Sequence, residues 1–114
     1  MKDDTLYLGH IRDAIDSIES YIKGISYNQF VSNKMMTDAV VRELEIIGEA
    51  INNLSKDFRS DHPQIPFRDI IDMRNVLIHE YFGVNTKIVW DTCKKNLPAL
   101  KPLIQKILDG CQDL

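Results

Sequence analysis

The chain has 114 residues, 44% of them hydrophobic, and a formal net charge of −3. That length makes one domain, residues 1–114, with a modest core. The acidic balance excludes a binder that works by general attraction to nucleic acid, though not a local basic site assembled from two copies.

No apolar run approaches the roughly 18 residues of a membrane span. Lys2, Asp3 and Asp4 lead into a mixed helix and not into a signal-peptide core. Cys93 and Cys111 lack CxxC spacing, so they read as reduced packing residues of a cytoplasmic protein.

In chain order, Asp3, Asp4 and Thr5 offer N-cap chemistry for a first helix. Leu8, Ile11, Ile15, Ile18 and Ile22 follow at alternating three- and four-residue spacing, and Gly24 ends the stripe. Ser26 and Gln29 have the spacing of a capping box for a short turn carrying Phe30 and Val31. A second helix is expected from about Lys34 to about Ser55, with Met36, Val40, Leu44, Ile47, Ile51 and Leu54 on its core face. Glu45, Glu49 and Asn52 fall opposite. Gly48 interrupts this helix at about 1 kcal/mol relative to alanine, which points to close approach of another backbone, at a helix crossing or a dimer contact.

Asp57 to Ile65 reads as a polar connector, with His62 and the distant His10 taken as solvent-exposed. Pro66 suits the first position of a third helix, expected to run to Tyr81 or Phe82 and to stop at Gly83. Asn85 can cap a fourth helix carrying Ile88, Val89, Trp90 and Cys93. Pro98 and Pro102 are expected to break or kink the chain beyond it. Leu100, Leu103, Ile104, Ile107 and Leu108 form the last stripe. The fold class is an all-α bundle of four to five helices with short connections.

The third helix carries the chemistry. At about 100° per residue, Arg74 lies inside the apolar arc of Ile70, Leu77, Ile78 and Tyr81. An unpaired guanidinium there would cost several kcal/mol, and Glu43, on the edge of the second helix's stripe, is the candidate counter-charge. Asp72, Asn75 and His79 share the polar face. Asn75 and His79, four apart, can touch, which would set the imidazole tautomer. No HExxH motif or second histidine at ligand spacing is present, so no metal is expected. No glycine-rich phosphate loop occurs either, and no cofactor is expected.

Arg74, His79 and Tyr81 together resemble the R-x4-H-x-Y signature of HepT-like toxins, within the HEPN class of helical domains. The block Arg42–Ala50 is similar to that family's second helix. Ile65–Ile70 is similar to its entry into the motif helix, with Phe67 where Trp is expected. His79–Phe82 and Val89–Asp91 fit as well. The resemblance spans about residues 5 to 109.

The resemblance implies a HEPN-like bundle that forms a homodimer. It implies a metal-independent endoribonuclease, the toxin of a pair whose antitoxin is a minimal nucleotidyltransferase called MNT. Arg74 and His79 would be catalytic, Asn75 a polar helper, and Tyr81 the acceptor of AMP from the partner. RNA cleavage by its own 2′-OH needs a base, an acid and a cation for the phosphorane. One histidine cannot be free base and protonated acid at once, and a two-fold dimer that pairs two copies of the site removes that difficulty. The alternative is a non-catalytic subunit that binds a nucleotide or a partner for the nucleotidyltransferase. A plain structural dimerisation bundle is the third reading.

Overall fold

The computed structural model describes residues 2–79 and 86–112, with side chains described for 3–75 and 86–110. Helix α1 (Lys2–Ile22) buries Leu8, Ile11, Ile15, Ile18 and Ile22, the expected stripe. Gly24 then adopts φ 75°, a left-handed conformation that favours glycine. Helix α2 (Tyr27–Ser32) starts with both arms of the expected capping box. The Ser26 N–H donates to Gln29 Oε1 at 2.8 Å, and the Gln29 N–H donates to Ser26 Oγ at 3.2 Å.

Helix α3 (Lys34–Asn53) is capped by Asn33, whose side chain accepts from the Met36 N–H at 3.0 Å. Val40, Leu44, Ile47 and Ile51 are buried as expected, and Leu54 just beyond the helix is buried too. Val41, Gly48 and Ala50 widen the buried arc. That width follows from position, because α3 packs on α1 along one side and on α5 along the other.

Asp3 and Asp4 lie inside the first turn of α1 and not ahead of it. Asp4 is buried and serves a different helix: it accepts from the Ser55 N–H and from Ser55 Oγ, each at 2.8 Å. Ser55 in turn caps helix α4 (Lys56–Asp61), its Oγ accepting from the Phe58 N–H at 3.1 Å. The expected polar connector is therefore partly helical, anchored by buried Phe58. His62 is half-buried, not exposed: its ring stacks on Phe58 at 4.2 Å between centroids, and Nδ1 lies 2.8 Å from the Phe58 carbonyl. Arg59 donates to the carbonyls of Asn52 and Leu54 and closes the end of α3.

Because Asp4 ties the start of α1 to the α3–α4 junction through a buried, charge-assisted pair of hydrogen bonds, Asp4→Ala is expected to destabilise the fold by about 2 kcal/mol. Thermal unfolding followed by circular dichroism checks this; an unchanged melting temperature would count against it.

Helix α5 (Phe67–His79) begins one residue after Pro66, whose carbonyl accepts from the Ile70 N–H at 3.4 Å. The expected continuation to Tyr81 or Phe82, the stop at Gly83 and the cap at Asn85 fall outside the described residues. Helix α6 (Thr86–Asp91) runs into a π turn (Thr92–Asn96) and then into helix α7 (Leu97–Gln112). Trp90 packs on Phe30 and Tyr27, tying α6 to α2. Cys93 is buried and unpaired, and burial pushes its thiol up to about 12.

Of the two prolines expected to break or kink the chain, Pro98 is the second residue of α7, just after the π turn, and Pro102 lies inside that helix without ending it. In the π turn the Leu97 N–H bonds back to Thr92 O, five residues earlier, so the ladder is already rephased where Pro98 brings no donor. Leu100, Ile104 and Leu108 are buried on this helix, with Leu103 and Ile107 packed beside them. Among the described residues four long helices and three short ones make the all-α bundle, and there is no strand. No helix among them is long and apolar enough to cross a membrane.

Candidate active site

Helix α5 is held on two sides. Ile70 is buried, and Ile71 and Met73 pack against the core. One flank meets α3; on another, Asp69, Ile70 and Met73 line a small cavity together with Thr92, Asn96 and Leu97. These contacts hold the helix over residues 69–73, up to Arg74.

Arg74 sits against α3, as its place on the apolar arc implied, but its neighbour there is Gly48 and not Glu43. A Cβ built on Gly48 would lie 2.5 Å from Arg74 Cβ, closer still to Cγ, and 3.2 Å from Cδ. Real Cβ atoms essentially never approach so closely, so the glycine is what admits the arginine stem. Gly48 thus marks a helix crossing, the first of the two readings its sequence position suggested.

The anticipated Arg74–Glu43 ion pair is absent among the described residues, whose ion pairs involve other side chains. Five residues separate Glu43 from Gly48, about 140° around the helix once a full turn is removed, so Glu43 points away from the seat. Arg74 Nε is buried without a hydrogen-bond partner, although the residue as a whole is only half-buried. A buried unpaired donor costs about 1–3 kcal/mol.

On the polar face of α5 the described side chains are Asp72 and Asn75. Asp72 is exposed and pairs with Arg68 one turn earlier at 3.4 Å, and Asn75 is exposed next to Arg74. His79 is the last residue of α5, one helical turn beyond Asn75, so the backbone sets the two at the i, i+4 relation read from the sequence. Its side chain, and the whole of Tyr81, lie outside the described residues. Arg74 and Asn75 are neighbours on one helix but face differently, Arg74 toward α3 and Asn75 toward solvent; the surface against which the arginine lies, Gly48, is not identified by the sequence alone. No group of three His, Cys, Asp or Glu side chains converges among the described residues.

The chain is similar along nearly its whole length to known proteins. It is 46% identical to a protein of Caldanaerobacter subterraneus subsp. tengcongensis named as a putative RNase, over 95% of this chain and 96% of that one. It is 44% identical to the "Probable ribonuclease HepT" of Thermococcus cleftensis, over 89% of this chain and 92% of that one. A Methanocaldococcus jannaschii protein named as a gamma-glutamylcyclotransferase and putative RNase is 44% identical, and there 95% of this chain spans 49% of the relative. No solved structure matches. The family model described as "Ribonuclease HepT-like" matches residues 11–107. With that match over most of its length and relatives at this identity, the chain belongs to the HepT-like ribonuclease family.

Proposed function

We propose that the chain is a metal-independent endoribonuclease, the toxin of a HepT/MNT toxin–antitoxin pair. The observation that carries this reading is Arg74: an arginine whose aliphatic stem lies against a glycine and whose Nε is buried without a partner, at a cost to the fold that a merely structural residue would not be expected to impose. Its chemistry suits a phosphodiester. His79 supplies the proton transfers, and Asn75, four residues before it, fixes its tautomer.

In this reading a base takes the proton of the 2′-OH, whose oxygen attacks the adjacent phosphorus. Arg74 stabilises the charged phosphorane, and an acid protonates the departing 5′-oxygen. Two copies of His79, brought together in a homodimer, take the two proton roles. Tyr81 is the residue onto which the nucleotidyltransferase partner transfers AMP.

Incubating the purified chain with single-stranded RNA in the presence of a chelator tests the reading. Cleavage should persist and leave fragments ending in 2′,3′-cyclic phosphate. His79→Ala should slow it by about two to four orders of magnitude without changing the helical circular-dichroism signal. Unchanged growth inhibition by a folded His79→Ala chain would favour instead the non-catalytic nucleotide- or partner-binding subunit.

A further inference from the structure

Gly48 has two unusual properties together. It is a helix-interior glycine, which a helix ordinarily disfavours, and its missing side chain corresponds to space already filled by the Cβ and Cγ of Arg74. At the same place Arg74 Nε is buried and unpartnered. No hydrogen bond or ion pair ties Arg74 to another described residue, so the contact with α3 is what fixes its stem. Since the residue is half-buried while its Nε is fully enclosed, its exposure lies toward the terminal Nη nitrogens.

We propose that Gly48 is a positioning residue of the site. By carrying no side chain it lets α5 lie close against α3, seats the Arg74 stem there, and leaves only the terminal Nη nitrogens to meet an anionic phosphodiester. The guanidinium then engages end-on, because its Nε edge is turned into the protein. The ligand part of this proposal rests on the ribonuclease reading; the seating part does not.

The test is a cycle of four chains: parent, Gly48→Ala, Arg74→Gly, and the double variant. Each is read by thermal melting and by single-turnover cleavage of a single-stranded RNA. Gly48→Ala should lower the melting temperature, although alanine is normally the better helix former, and should slow cleavage ten- to a hundredfold by displacing Arg74. In the Arg74→Gly background the same change should raise the melting temperature, because the colliding Cβ and Cγ are gone, and should cause no further loss of cleavage.

Equal melting shifts in the two backgrounds would overturn the seat. So would a Gly48→Ala chain that cleaves at the parent rate. If the parent cleaves no RNA, the ribonuclease reading fails, while the sign of the melting shifts still decides the seat.

Discussion

Arg74→Met is expected to melt at or above the temperature of the parent and to cleave RNA about a hundred- to a thousandfold more slowly. The two halves of that result have separate causes. Methionine has the same unbranched stem, so it can lie on Gly48 as arginine does, while the buried Nε that finds no partner is replaced by apolar atoms. Removing an unsatisfied buried donor recovers stability, as the replacement of some buried charges by apolar residues does. Removing a donor that stabilises transition-state charge costs about 10²–10³ in rate. Arg74→Lys separates charge from shape: it keeps the cation, loses the planar pair of terminal nitrogens, and should fall between parent and methionine. Melting curves and cleavage time courses on the same preparations decide the matter. A methionine variant as active as the parent would return Arg74 to a structural role, and one that unfolds would show that the guanidinium holds the fold.

The sequence is most informative where structure follows from nearest neighbours along the chain. The stripe from Leu8 to Ile22, the Ser26–Gln29 box and the left-handed Gly24 are local patterns, and each forms as its spacing implies. Asp4 misleads because its partner, Ser55, is 51 residues away, and an N-terminal aspartate looks like a cap whatever it binds. Helix α4 escapes a reading by pattern because one buried side chain, Phe58, in six residues leaves no periodicity to detect. Pro98 invokes a local rule that the π turn before it relieves, because α7 starts afresh at Leu97, while Pro102 is carried inside that helix. At the site, the wheel places Arg74 against the bundle correctly, but angle alone does not choose between two residues of the facing helix. Charge points to Glu43, whereas packing selects Gly48. The roles of His79 and Tyr81 come from the family signature, and their side chains lie outside the described residues.

Tyr81→Phe is expected to cleave RNA as the parent does and to lose all protection by the nucleotidyltransferase antitoxin. The transfer proposed for Tyr81 has the phenolic oxygen attack the α-phosphorus of ATP. A P–O bond forms, pyrophosphate leaves, and the phenolic proton passes to solvent. Phenylalanine keeps the ring but has no oxygen to attack, so this step is lost completely and not merely slowed. Cleavage is spared because Tyr81 has no part in the proton transfers assigned to His79 or in the charge stabilisation assigned to Arg74. Each AMP brings a negative phosphodiester and a bulky base two residues beyond His79. In the proposed silencing the charge would compete with RNA for the arginine, and the base would obstruct the path of the strand. The measurement pairs intact mass with activity: both chains are incubated with the antitoxin and ATP, weighed, and then given RNA. The parent should gain mass in steps of one AMP and stop cleaving, while the Tyr81→Phe chain should keep its mass and its activity. A Tyr81→Phe chain that still gains AMP and falls silent would move the acceptor to another residue. One that keeps its mass yet falls silent would mean that the antitoxin inhibits by binding, and the charge argument would then apply to the partner's surface.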